Sequence, residues 1–522
     1  MNPLSPAQSN HLAKSFLAIA CLASWCLATP AFAQRAQGRS DAPTAAPQTQ
    51  QQSGQQNQAN ATLPALPPEK TTFHKVTLAS GSMDFDARAG SIRIRNAQTS
   101  APMVDIAYIA YLKSGAEART RPVTFLFNGG PGYASGWLNL GGIGPWRLPM
   151  SGEAIAPSAA PLLEDNADSW LEFTDLVFID PPGTGYGLIL GNDEVRKRLF
   201  SVGGDLEILA TTIRRWTDSH QRNLSPKYLA GESYGGFRVP KLAHMLQTDQ
   251  GMGVNGLIML SPVLDFSRFN LRSGLWDHVA RLPSYAASAR EAKGPITRSQ
   301  MLDVEAYAQG DYLRDLMKGP QDQAALDRLS TKMSELIGLD KNFIRQLGGR
   351  ISSDIFIREL HRDTGRISSA YDTSETAFDP YPEAMMNLSE DPMRLGLHAP
   401  ITQAMIDLYR TRLNWVVENS RYQFMSAEAG RQWEWGNRPN EAIGDLRRSL
   451  ALDPHMQAII GHGLTDVVTP YFETKMLLDL MPAFGSPDRL KFNVYAGGHM
   501  FYTRTESRRA FRDDVKAMFE KR

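Results

Sequence analysis

Short, nearly continuous apolar runs recur along the chain at Val123–Phe127, 176–180, the stretch entering Gly231, Gly256–Leu260, 457–461 and Leu490–Tyr495. Runs of that length without alternation are typical of strands buried on both faces of a parallel sheet. Helical patterns lie between them. Leu206, Leu209, Ile213 and Trp216 share one helical face, with Asp205 placed to cap that helix, and Phe511, Val515 and Phe519 form a stripe over 506–522. Strands alternating with helices predict a doubly wound, mostly parallel α/β sheet. Two earlier segments, 92–94 and 104–111, alternate instead, as half-buried strands of a leading antiparallel hairpin would. From 267 to 452 strand runs are scarce, and segments such as 327–337 and 402–417 read as amphipathic helices. This block is expected to be a mainly helical cap, inserted between the two parts of the sheet domain at 71–266 and 453–522.

The first 70 residues follow neither pattern. His11 and Lys14 precede an apolar run at 16–27, and Ala31-Phe32-Ala33 offers a cleavage site, which predicts a signal peptide over 1–33 and export to a periplasmic or extracellular space. The run is too short to span a bilayer, so no stable membrane insertion is expected. A lipid anchor on Cys21 is disfavoured, because Ala18 stands where a larger aliphatic residue is usual. Residues 34–70, rich in Gln, Ala, Pro and Thr, are expected to be a disordered spacer. Both cysteines, Cys21 and Cys26, fall in the leader. A processed chain would have neither disulfides nor thiol chemistry. Lys plus Arg balances Asp plus Glu at 55 each, which removes the electrostatic case for nucleic acid or an anionic membrane.

The chemistry centres on Gly231-Glu232-Ser233-Tyr234-Gly235, a G-x-S-x-G sequence between an apolar run and a helix-like segment. That spacing suits a strained strand-to-helix turn exposing a nucleophilic serine, with glycines where a Cβ would collide. A serine needs a base in reach. His499, in a loop just past the run Leu490–Tyr495, is the candidate, and Asp466, beyond the preceding strand, can hold its far nitrogen. His462 precedes that acid in the same loop and is read as structural. The order Ser233, Asp466, His499 is that of the α/β-hydrolases, which defines the expected fold. For an oxyanion hole, one backbone N–H is that of Tyr234, and the other is expected from Gly130 in Asn128-Gly-Gly-Pro-Gly132, after the strand Val123–Phe127.

Taken together, Asn128-Gly-Gly-Pro-Gly132, Asn166 with Ser169-Trp170, 177–185, Gly231-Glu-Ser-Tyr-Gly235, Asp466 and Gly497-Gly-His499 resemble the serine carboxypeptidases of the carboxypeptidase Y and wheat type, closest to bacterial exported members. The likeness covers roughly 71–522. It implies peptide substrates, trimmed at the C-terminus through an acyl-enzyme. It also implies that Asn128 and Glu232, with Gly129 beside them, bind the terminal carboxylate. Glu232 would then have to carry a proton, since two carboxylates in contact repel. Two positions depart from the family pattern. A second glutamate usual in the family is Gly142 here, and a cysteine usual after the Asn-Gly-Gly-Pro-Gly run is Tyr133. Loss of the partner carboxyl predicts a weaker preference for acid and poorer discrimination for a free C-terminus.

Tyr133, Trp137, Trp146, Tyr186 and Phe237 are candidates for lining substrate subsites, although such residues more often pack in cores. Gly183-Thr-Gly-Tyr-Gly187 lacks the third spaced glycine of a nucleotide loop, and neither H-E-x-x-H, cysteine ligands nor a P-loop occurs, so no metal or other cofactor is expected. Two competing functions remain at this level: another acyl hydrolase or acyltransferase on the same fold, such as an esterase or N-terminal peptidase, and a non-catalytic binding protein.

Overall fold

The structure, a computed structural model, describes residues 65–520 apart from 153–154, 270–273, 385–386, 419 and 438. The expected leader at 1–33 and most of the spacer at 34–70 lie outside the described residues. Among the described residues the main sheet has ten strands, nine of which run in chain order as β1 (Lys70–Leu78), β2 (Gly81–Arg95), β3 (Pro102–Lys113), β4 (Val123–Phe127), β5 (Asp175–Ile179), β6 (Lys227–Glu232), β7 (Gly256–Leu260), β8 (Gln457–Gly463) and β9 (Leu490–Tyr495). Their spatial order is β1-β2-β3-β5-β4-β6-β7-β8-β9, with a short strand at Leu188–Ile189 also pairing to β3. The pairs from β1 to β5 are antiparallel, and every pair from β5 onward through β4 to β9 is parallel. β4 connects to β5 on one side and its neighbour β6 connects to β7 on the other, so the doubly wound sheet opens its crevice at the strand ends between β4 and β6.

β2 alternates in burial, but β3 does not. Ala107, Ile109 and Tyr111 enter the apolar layer on one face of the sheet, while Val104, Ile106, Tyr108 and Ala110 enter the other. The expected half-buried strand is therefore buried on both sides, because an apolar layer covers each face of the sheet at β3. A second difference concerns helix α1 (Val202–Ser219). Its cap is Ser201, whose Oγ accepts the Gly204 N–H at 3.1 Å, and Asp205 sits within the first turn instead. Asp205 is wholly buried and spends its carboxylate on Arg238 of helix α2 (Tyr234–Thr248), at 2.6 Å.

Between β7 and β8 the described chain is mainly helical, with one small hairpin at Arg366–Ser368 and Thr376–Phe378. It contributes to two different cores. Helices α3 (Leu275–Glu291) and α4 (Gln323–Ile337) form a cluster of their own that takes in Leu464, Val467 and Tyr471. Helix α5 (Pro392–Asp407) instead places Leu397, Ile401 and Ala404 in the layer beneath the sheet. The helix expected at 402–417 thus begins ten residues earlier, where Asp391 caps it and Pro392 supplies a preset first turn, and its last turn is the π-helical Leu408–Arg412.

Candidate active site

The strand β6 ends on Glu232 and helix α2 begins on Tyr234, so Ser233 alone makes the turn. Its φ of 59° and ψ of −120° lie outside the regions open to ordinary residues, a strain that persists only where the surroundings hold it. The turn is tight enough that a Cβ on Gly231 would lie 2.1 Å from the Gly235 carbonyl oxygen. The Asn128-Gly-Gly-Pro-Gly132 loop packs directly on this turn. A Cβ on Gly129 would meet the Tyr234 nitrogen at 2.7 Å and the Ser233 Cβ at 2.8 Å. As the first residue of α2, Tyr234 has no intrahelical acceptor for its N–H. Gly130, with φ of 110°, lines the same cleft.

Ser233 shares that cleft with His499, Asn128, Gly129, Glu232, Tyr133 and Trp137. The imidazole is buried, and its Nδ1 lies 2.8 Å from Asp466 Oδ2. Asp466 is itself held, since its Oδ1 accepts the Val468 and Thr469 N–H groups, each at 2.8 Å. Burial alone would lower the His499 pKa, but the Asp466 carboxylate, together with Glu232 and Asp391, raises it above the usual value. Thr469, which the sequence analysis did not single out, joins the pair. Its Oγ1 stands 2.6 Å from Asp466 Oδ2, 3.0 Å from His499 Nδ1 and 3.0 Å from the Ser261 carbonyl oxygen. Its position three residues after the acid is the local signal for such a role. His462 turns away to Thr474 at 2.9 Å, and burial pushes it down to about 4.

Glu232 is buried between two donors. Asn128 Nδ2 and, at 2.9 Å, the Tyr502 hydroxyl both donate to its Oε2. Burial raises its pKa to about 7, against the opposing pull of His499 and those two hydrogen bonds. Asn128 is fixed in turn, because its Oδ1 accepts the Leu138 N–H at 3.1 Å. Tyr502 also explains what stands near Gly142. A Cβ on neighbouring Gly141 would meet the Tyr502 ring at 2.7 Å, and one on Gly142 would meet the Arg508 side chain at 2.8 Å. An aromatic hydroxyl from the far end of the chain therefore approaches Glu232 where a second carboxyl is absent. Asn166 and Ser169 secure the same loop by donating to the carbonyl oxygens of Gly142, Gly144 and Ile143 at 2.8–2.9 Å.

The remaining aromatic candidates separate. Tyr133 and Trp137 line the cleft, whereas Tyr186 packs among Tyr409, Trp415 and Tyr422, away from it. Trp146 stacks edge-on with Tyr111, and Phe237 lies against Tyr234 and Phe266. Those three rings fill core space that the sheet's layers had to close, which spacing alone could not reveal. Among the described residues no group of His, Cys, Asp and Glu is arranged to hold a metal, and no helix is long and apolar enough to cross a membrane.

A parallel sheet whose strand ends carry a serine turn, and beside it a histidine paired with a carboxylate, defines an α/β-hydrolase. The family model for serine carboxypeptidases matches residues 83–508, and the chain belongs to that family. Among curated relatives, serine carboxypeptidase-like 13 of Arabidopsis thaliana is 24% identical over 232 residues, 44% of this chain and 52% of that protein. The pheromone-processing carboxypeptidase KEX1 of Yarrowia lipolytica is 32% identical over 141 residues, 27% of this chain and 21% of that protein. The chain thus spans about half the length of the first and a fifth of the second. The crystal structure of the Saccharomyces cerevisiae prohormone-processing carboxypeptidase Kex1 superimposes with a TM-score of 0.53 at 14% identity, covering 84% of this chain and 91% of the other. That likeness carries the fold.

Proposed function

We propose that the chain is a serine carboxypeptidase in which Ser233, His499 and Asp466 form the triad. Ser233 Oγ attacks the carbonyl carbon of the last peptide bond as His499 Nε2 takes its proton. The N–H groups of Gly130 and Tyr234 receive the oxyanion. The tetrahedral species collapses when His499 returns that proton to the departing amine, which frees the C-terminal residue and leaves an ester on Ser233. Water then attacks the ester, His499 accepts one of its protons, and the same proton goes back to Ser233 Oγ as the shortened peptide leaves. Asp466 keeps the imidazole in the tautomer this requires and stabilises its charged form.

The observation that carries the exopeptidase reading is Glu232, a buried carboxyl with a pKa of about 7 beside the serine. Both donors sit on Oε2, which leaves Oε1 to carry a proton toward a substrate carboxylate. An acid with an ordinary pKa near 4.5 would be charged at neutral pH and would repel a peptide's C-terminus. The leader-like pattern over 1–33 supports export, with the active chain in a periplasmic or extracellular space. The test compares an N-blocked dipeptide with its C-terminal amide and a simple ester, alongside fluorophosphonate labelling at Ser233. The free acid is expected to be preferred by at least about tenfold in kcat/KM. Equal turnover of all three would point to a general acyl hydrolase, and failure to label would sink the triad.

A further inference from the structure

The cleft lining has two unlike parts. Val263, Phe266 and Val468 are apolar, while Tyr133 and Tyr371 stand close enough to both Arg394 and Glu232 to feel their charges. Arg394 has no part in the chemistry derived above. Its backbone is pinned at the start of α5, where Asp391 Oδ1 accepts its N–H at 3.0 Å. Its guanidinium makes one ion pair, from Nη2 to Glu390 Oε2 at 3.0 Å, and both side chains of that pair are partly exposed, at 25% and 33%. The rest of the guanidinium turns to the cleft wall, 3.7 Å from the Met425 sulfur and near enough to the Tyr133 and Tyr371 phenols for its charge to act on both.

The charged and titratable groups around it are few. Asp391 is partly buried and already accepts from the Ser369 hydroxyl and the Ala370 N–H, at 2.9 and 2.7 Å, as well as from the Arg394 backbone. Tyr133 and Tyr371 are neutral phenols held above their usual pKa by burial, and the pKa of His398 is lowered by burial and by Arg394 itself. Among the described residues Glu390 is thus the one side-chain carboxylate paired with the guanidinium, and water screens it at the rim. A guanidinium presents donors in a planar fork that fits a carboxylate better than any other common group.

We infer that Arg394 makes this part of the cleft a subsite for an acidic side chain on the C-terminal residue of the substrate. The inference rests on the carboxypeptidase reading and refines it. Protonated Glu232 with Asn128 takes the main-chain carboxylate, and Arg394, one tyrosine away, takes the side-chain carboxylate of a terminal glutamate or aspartate. The apolar part takes the side chain of the residue before it.

The experiment measures kcat/KM for N-blocked Phe-Glu, Phe-Gln, Phe-Leu and Phe-Lys on the same enzyme preparation near neutral pH. The ratio of Phe-Glu to Phe-Gln cancels differences in folding and expression, because both substrates meet the same molecules. The native chain is expected to favour Phe-Glu over Phe-Gln by about tenfold or more. Arg394→Gln should bring that ratio to about one, Arg394→Lys, which keeps the charge but loses the fork, should retain only part of it, and Glu390→Gln should increase it by removing the competing carboxylate. Cleavage with a ratio near one in the native chain, or a ratio unmoved in Arg394→Gln, overturns the acidic subsite and leaves the carboxypeptidase reading standing. If none of the four peptides is cleaved, both are overturned together.

Discussion

Glu232 and His499 are buried in one cleft and both shifted upward, yet turnover asks opposite things of them. In the mechanism proposed above, His499 must lose its proton to act as a base, while Glu232 must keep its own to hold a carboxylate. On free-acid peptides kcat/KM should therefore rise with pH as His499 deprotonates and fall again as Glu232 ionises near about 7. On the matching amide or ester the falling limb should vanish, because no carboxylate is being held. Tyr502→Phe tests the assignment more finely. The Tyr502 hydroxyl donates to Glu232 and so favours its ionised form. Its removal should raise the Glu232 pKa and carry the falling limb to higher pH; a limb that stays in place, or moves toward acid, would exclude that contact. The same profile tests the weaker acid preference expected from Gly142, since burial rather than a partner carboxyl is the main cause of the raised Glu232 pKa. The serine turn, the loop glycines, the acid and the histidine were visible in the sequence because each sits in a short segment whose backbone geometry restricts its neighbours. Tyr502 and Arg394 were not, because they arrive from 270 and more than 100 residues away and depend wholly on packing.

Segments rather than single groups decide how rigidly the imidazole is held. The loop bearing His499 is gripped from the helical insertion: the His499 N–H donates to the Tyr371 carbonyl oxygen at 2.5 Å, and the Gly498 N–H to Asp372 Oδ2 at 3.2 Å. Asp372 also accepts from Thr465 Oγ1 at 3.3 Å, beside Asp466, and Arg504 bridges it to Glu291 of α3. One carboxylate outside the sheet thus ties the acid's loop to the base's loop. Asp372→Ala is expected to lower kcat by roughly ten- to a hundredfold with a smaller change in KM, since a displaced imidazole costs orientation more than binding. Asp372→Asn, which keeps an acceptor, should recover part of the loss. A kcat unchanged in both variants would show that the loops hold their geometry without it. At this scale the parallel strands were readable from their apolar runs. The cap of α1 was misplaced because Asp205 has the right chemistry for a cap but a stronger claim from Arg238.

Across the molecule, two apolar layers cover the faces of the sheet and a third cluster joins the insertion to the helix after Asp466. Residues 34–522 contain no cysteine, so these layers, with no disulfide among them, hold the described residues together. A buried charge left without its partner is then especially costly. Arg238 and Asp205 are both fully buried, and Arg238 Nη1 also donates to the Asn128 carbonyl oxygen at 2.5 Å. Arg238→Met alone is expected to destabilise the protein by about 3–5 kcal/mol, read as a lower unfolding midpoint in denaturant. Adding Asp205→Leu should restore much of that, because the orphaned carboxylate goes with it. A double variant no more stable than the single one would place the cost in packing instead. The overall layering followed from the alternation of strand and helix, but the division of the insertion between two cores did not. Amphipathic periodicity shows that a face is buried without showing what buries it.

The grip of Tyr371 and Asp372 on the histidine loop reaches beyond one molecule. If the base is aligned from outside the sheet, the insertion cannot be exchanged between cousins as an interchangeable roof. A graft that carries over a relative's selectivity, but not its matching pair of residues at this junction, would inherit the new preference together with a slackened proton acceptor. Divergence in what such enzymes trim should therefore be accompanied by paired changes at that seam, and engineers altering one side would do well to transplant the other with it.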